Sequence, residues 1–172
     1  MKKKSIRIFL FFASLLAFDL AVKALVYFYV NKIDWLHTTF PFGGIAVFEN
    51  LWGGVSFAIN HVENKGAAWG MLASFSSYLL VVRLLAAISL VIYLRYSLKE
   101  NIYRLPLLFI LTGAAGNIMD HFIYGKVIDM FHFIFWGYSF PVFNLADVYI
   151  CIGIAGVFYL SVLRRQPKEK LC

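Results

Sequence analysis

The chain alternates between long apolar runs and short polar breaks. The first run spans Ile8 to Val30 and reads IFLFFASLLAFDLAVKALVYFYV. The second covers about Ser76 to Tyr96, the third about Leu105 to Phe122 and the fourth about Phe143 to Leu163. Each has about the length an α-helix needs to cross ~30 Å of hydrocarbon. The first run ends in large residues, LVYFYV, instead of the small residues of a cleavage site, so a retained span is expected. The pattern predicts an α-helical integral membrane protein with four transmembrane helices. It predicts one domain over residues 1–172, with no linker, internal repeat or low-complexity segment.

Two longer segments separate the spans, about 31–75 and 123–142. The first contains FPFGGIAVFENLWGGVSFAINHV, where Gly-Gly pairs punctuate short aromatic and β-branched stretches. That pattern predicts small strands and hairpins between the first and second spans. The second contains MFHFIFWGYSFPVF. Its aromatic density predicts a segment lying on the membrane interface.

Composition supports lipid as the solvent. The chain is 62% hydrophobic and 15% charged, with a mean hydropathy of +0.77. A soluble domain of this size could not hide that much apolar surface. The net charge of +7 does not point to nucleic acid, because of where the basic residues lie. Lys2, Lys3, Lys4 and Arg7 precede the first run; Arg95, Lys99 and Arg104 flank the gap between the second and third; Arg164, Arg165, Lys168 and Lys170 follow the fourth. Clusters at alternate ends of the runs follow the positive-inside rule. Both termini are therefore expected on the cytoplasmic side, with 31–75 and 123–142 extracytoplasmic. Of the two cysteines, Cys151 lies inside an apolar run, where a small buried hydrophobe is expected, and no disulfide with Cys172 is expected.

Polar groups in lipid are costly unless paired. Asp19 and Lys23, in DLAVK, stand at i and i+4 in the order that favours an ion pair. They read as a structural salt bridge or as a hold on substrate or a loop. Asn64 opens NKGAAWG, whose small residues Gly66 and Ala67 allow close backbone approach; the motif also suits a turn into a helix. GAAGNIMD places a small-residue run, suited to tight packing in lipid, before Asn117 and Asp120. Asp129 follows in VIDMF. FNLAD opens the fourth span, with Asn144 placed as an N-cap and Asp147 three residues on, close to a capping box.

The set says more than its members. Asp120, Asp129 and Asp147 are three of five aspartates, and the topology brings them to one edge of the membrane. Two carboxylates close together in low dielectric do not both ionise, so one holds a proton while the other is a base. Such a pair can activate water against an amide. Other chemistry fits less well. Ser139 and His132 are near in sequence but carry no motif, and there is no HExxH. His121, His132 and the aspartates lack helical ligand spacing, and no Gly-rich phosphate loop opens a helix. A small proton-coupled transporter using the same carboxylates is the alternative, although four spans without repeat symmetry suit it less.

These motifs, in this order, resemble those of the lipoprotein signal peptidases (signal peptidase II), bacterial aspartyl peptidases of the inner membrane. DLAVK looks like the family's Asp and Lys of the first span. NKGAAWG resembles N-x-G-A-A-F-G, GNIMDHFIYGKVIDMF resembles G-N-x-x-D-R-x-x-x-G-x-V-x-D-F, and FNLAD resembles F-N-x-A-D. The resemblance implies a catalytic dyad at Asp129 and Asp147. It implies supporting or substrate-binding roles for Asp19, Lys23, Asn64, Gly66, Ala67, Asn117, Asp120, His121 and Asn144. It implies a diacylglyceryl-modified prolipoprotein as substrate, cut just before the lipidated cysteine, and no metal or organic cofactor. Membrane lipid is the expected surrounding, no nucleic-acid partner is expected, and nothing demands more than a monomer. Two positions depart from the pattern. His121 stands where the family usually has Arg, and Trp69 replaces the usual Phe. Histidine is smaller and lacks arginine's permanent charge and planar fork of donors, so if that arginine orients the site in the family, orientation here would depend on pH or on another cation.

Overall fold

The computed structural model describes residues 2–34, 36, 39–66, 73–96 and 102–165. Four long helices form within them: α1 (Lys2–Tyr29), α2 (Ser76–Tyr96), α3 (Arg104–Tyr124) and α4 (Leu145–Arg165). Each contains a stretch long and apolar enough to cross a membrane. The second span coincides with the expected 76–96. The third runs two residues past the expected end. It stops at Gly125, which takes φ +71 and donates its N–H to the His121 carbonyl, as a left-handed C-cap does. The fourth helix starts two residues later than expected, because Asn144 caps it from outside.

Glycine lets α3 and α4 meet closely. A Cβ added at Gly113 would fall on the carbonyl oxygen of Ala146, and one at Gly116 would come 2.5 Å from Asp19 Oδ2. The small-residue run thus brings α3 against α4 and α1 where the polar groups lie. At the other end of α1, Phe11 and Phe12 pack edge-on against Phe109 of α3. Helix α2 packs on α3 and buries none of its residues. Cys151 on α4 is exposed instead of buried, since it faces away from the other helices.

The sheet is larger than expected. Strands β1 (Ile45–Leu51), β2 (Val55–Asn64), β3 (Val127–Phe135) and β4 (Tyr138–Ser139) form one antiparallel sheet in the order β1-β2-β3-β4. The hairpin between the first two spans matches expectation. The aromatic segment joins that hairpin instead of standing apart from it: most of it is β3 and β4. Period-two alternation is the reason. Phe131, Phe133 and Phe135 share one face, where Phe57 stacks on Phe133 at 4.4 Å and Phe133 stacks near Phe143 at 6.1 Å. Ile128 and Met130 occupy the other face and pack with Val26 of α1.

Connectivity gathers the sheet at one end of the bundle. Helices α1 and α3 enter it from their C-termini, and α2 and α4 leave it from their N-termini. Glu63 on β2 reinforces this end by pairing with Lys32 after α1 at 2.8 Å and Lys126 after α3 at 2.6 Å. Asp129 sits opposite Val62 in the β2–β3 ladder, so β2 carries Asn64 alongside it.

Substituting Gly113→Ala should push α4 away from α3 at Ala146. A loss of about 1–3 kcal/mol is expected for such overpacking. Thermal unfolding in detergent should move clearly downward; an unchanged transition would mean that the two helices do not meet there.

Candidate active site

The site is built outward from a buried cation. Lys23 Nζ lies 2.8 Å from Asp19 Oδ2, 2.9 Å from Asp120 Oδ2 and 3.1 Å from Asn117 Oδ1. Lys23 and Asp120 are 0% exposed and Asp19 is 1% exposed. All three N–H bonds of the ammonium are therefore used. Each carboxylate has a second task. Asp19 Oδ1 accepts the Ala146 N–H at 2.9 Å, and Asp120 Oδ2 accepts the Ile128 N–H at 3.2 Å. The cluster ties α1 to α3, to the first turn of α4 and to the start of β3. The expected i,i+4 ion pair is present, and Asp120 joins it.

Asn117 carries the pattern forward. Its Oδ1 accepts from Lys23 and also from Asn144 Nδ2 at 3.2 Å. An amide oxygen held by a cation leaves the NH₂ to face away. Asn117 Nδ2 accordingly donates to Asp147 Oδ1 at 2.8 Å. Asn144 Nδ2 also donates to Asp129 Oδ1 at 2.7 Å.

Asn144 and Asp147 also cap α4 reciprocally. The Asp147 N–H donates to Asn144 Oδ1 at 3.0 Å, and the Asn144 N–H donates to Asp147 Oδ2 at 3.2 Å. Capping box and site were alternative readings of FNLAD; the geometry combines them. The cap fixes the carboxylate of Asp147 in one rotamer, and Asn144 bridges it to Asp129.

Asp129 is 3% exposed and receives a second amide bond, from Asn64 Nδ2 at 3.0 Å. Burial pushes its carboxyl up to about 7, the charge of Asp147 pushes the same way, and the amides of Asn64 and Asn144 oppose them. Both carboxylates reach a cavity of about 250 Å³. Asn64, Asp129 and Asp147 form its polar wall, and Val127, Phe140, Val142 and Phe143 an apolar one.

The structure brings most of the sequence-predicted residues together. Asn64, Asn117, Asn144, Asp129 and Asp147 are directly bonded to one another, with Asp19, Lys23 and Asp120 behind them. Gly66 closes the turn after Asn64 by donating its N–H to Asn64 Oδ1 at 2.9 Å. His121 is half-buried in the last turn of α3, and its ring makes none of these bonds. Ala67 and Trp69 lie outside the described residues.

Ser139 and His132 do meet, at 2.8 Å, with Asn60 Nδ2 on the other ring nitrogen at 2.9 Å. An amide N–H on Nδ1 leaves the ring proton on Nε2, which then donates to Ser139, so the pair clamps β4. Among the described residues, no three His, Cys, Asp or Glu side chains converge as metal ligands would. The apolar wall and Arg83 were missed from sequence. Arg83 donates from Nη2 to the Gly66 carbonyl at 2.8 Å; a guanidinium inside a span was the available signal.

Replacing Lys23 by Met leaves Asp19 and Asp120 buried without their cation. Breaking a buried pair in this way costs about 3–5 kcal/mol. Thermal unfolding in detergent should show a large loss, partly restored by adding Asp120→Asn. A parent-like transition in Lys23→Met would contradict the role given to the ammonium.

Comparison with known proteins gives the family. A family model described as signal peptidase (SPase) II matches residues 11–163. The lipoprotein signal peptidase of Chlamydia trachomatis serovar D is 36% identical over 115 residues, covering 66% of this chain and 69% of that protein. The lipoprotein signal peptidase of Clostridium acetobutylicum is 33% identical over 115 residues, covering 66% and 75%. A bacterial membrane enzyme solved by the in meso method at 2.3 Å resolution shares the fold, with a TM-score of 0.78 over 95% of this chain and 92% of that one, at 22% identity. With four apolar helices and a family model matched over residues 11–163, the chain belongs to the signal peptidase II family of membrane proteases.

Proposed function

We propose that this protein is an aspartyl endopeptidase that removes signal peptides from diacylglyceryl-modified prolipoproteins, cutting just before the lipidated cysteine. The observation that carries the reading is the pairing of Asp129 and Asp147 at one cavity, bridged by Asn144 and each held by a further amide. Membership of a peptidase family does not favour the proton-coupled carrier.

Asp129 holds a proton near neutral pH and acts as the acid; Asp147 is the base. A water between them loses a proton to Asp147 as its oxygen bonds to the scissile carbonyl carbon. Asp129 donates its proton to the carbonyl oxygen, giving a neutral tetrahedral diol. That diol collapses as the carbon–nitrogen bond breaks. The proton on Asp147 goes to the leaving nitrogen, and a hydroxyl proton of the diol returns to Asp129. The products are a new carboxyl terminus and the free amine of the lipidated cysteine. Asp19, Lys23, Asn117, Asp120 and Asn144 hold the carboxylates, and no metal or organic cofactor is needed.

Both termini lie on the cytoplasmic side, and the sheet and dyad at the outer face of the cytoplasmic membrane. The placement of basic residues supports this orientation. Trp52 and Trp136 at the hairpin tips are 84% and 72% exposed, as side chains in the headgroup layer would be. The acyl chains of the substrate lie in the bilayer, and Val127, Phe140, Val142 and Phe143 give the cavity a side suited to the lipidated residue. The extended segment at the cut needs backbone partners in this environment, for which the site's amides are suited. The enzyme acts as a monomer.

Mass spectrometry of a purified lipidated prolipoprotein incubated in detergent tests the reading. The parent should release the signal peptide with the new terminus at the modified cysteine. Asp129→Asn and Asp147→Asn should each lower the rate by at least about 10²-fold. Intact substrate with the parent, or near-parent turnover in either variant, would overturn the assignment.

A further inference from the structure

Arg83 stands about 10 Å along α2 at ~1.5 Å per residue, in a helix that buries none of its residues. A guanidinium there is costly, so its partner is informative. That partner, among the described residues, is the Gly66 carbonyl, at 2.8 Å. The same residue's N–H donates to Asn64 Oδ1 at 2.9 Å, which leaves Asn64 Nδ2 for Asp129 Oδ2 at 3.0 Å. Three consecutive bonds thus lead from the lipid-facing helix to the buried carboxyl.

We propose that Arg83 is a positioning residue for Asp129. It pins the Gly66 carbonyl, the pinned turn holds the Asn64 amide in one orientation, and Asn64 presents its N–H to the acid. The arrangement mirrors the other half of the site, where Lys23 fixes Asn117 and Asn117 fixes Asp147. It gives the otherwise peripheral α2 a task in the chemistry. The inference deepens the proposed hydrolysis and rests on it for the role of Asp129.

The groups acting on Asp129 are Asp147 from α4, Lys23 from α1, and the amides of Asn64 from β2 and Asn144 from the α4 cap. The Asn64 bond favours its ionised form, so loosening that bond keeps Asp129 protonated to higher pH. Arg83→Leu removes the pin, and leucine suits a span, so insertion is preserved. Arg83→Lys retains a cationic donor.

The infrared band of protonated Asp129, assigned by its loss in Asp129→Asn, is followed against pH alongside kcat and KM on a lipidated prolipoprotein. In Arg83→Leu the band should persist to higher pH. Its kcat should fall roughly 3- to 10-fold, the effect of one ordinary hydrogen bond, with KM within about twofold. Arg83→Lys should recover most of the rate. Adding Arg83→Leu to Asn64→Ala should change little further, because both act through one bond. Parent-like band and kcat in Arg83→Leu would overturn the proposal, and so would a full additional effect on top of Asn64→Ala. A parent that leaves substrate uncut would instead sink the proposed hydrolysis, while the infrared titration would still decide the relay.

Discussion

Lys23 brings a positive charge into the buried interior of a helical bundle, where its three N–H bonds reach Asp19, Asp120 and Asn117. A lone ammonium there would be prohibitive, and two carboxylates without it would be worse. Together they form a cluster whose members have no better partner. Because Asp19 also holds the first turn of α4 and Asp120 the start of β3, satisfying the charge fixes the elements that carry Asp147 and Asp129. The glycines at 113 and 116 belong to the same constraint, since a side chain at either would strike the α4 backbone or Asp19 itself.

From that anchor, orientation passes outward through amides. An asparagine has distinct donor and acceptor ends, so a cation on its oxygen determines where its NH₂ points. Asn117 transmits this to Asp147, and Asn144 joins Asp147 to Asp129 while capping α4. The two carboxylates meet different surroundings as a result. Asp129 lies deep on β3 with two amide donors, whereas Asp147 is half-buried at a helix start with a backbone N–H on one oxygen. Unequal surroundings for paired carboxylates are what an acid and a base require.

Much of this was legible in the sequence, for physical reasons. Spans announce themselves because lipid demands uninterrupted apolar runs, and all four helices formed where those runs lie. The functional asparagines and aspartates stood out because polar groups are conspicuous there, and the Asn144–Asp147 cap followed from residue types and spacing alone. Strand β3 was hidden by its own composition: phenylalanines at 131, 133 and 135 look like an interfacial belt until pairing with β2 reveals their alternation. The depth of Asp129 was also invisible, because it depends on the β2–β3 register. Arg83 went unnoticed as a leftover cation, although its place inside a span was a signal. His121, conspicuous as a departure from the family pattern, sits at the end of α3 and bonds to none of the clustered carboxylates.

The central claim is that Asp129 supplies a proton to the reaction while its partner takes one. The pH dependence of kcat/KM for cleavage of a lipidated prolipoprotein, from about pH 5 to about pH 9, reports the acid and base of the free enzyme and tests it most directly. Asp129 is protonated below about 7 and ionised above it. Raising the pH therefore removes the donated proton and sets two negative charges against each other. The rate should fall along an alkaline limb with its midpoint near 7. A rate that stays level or rises across that range, in protein that remains folded, would contradict the account.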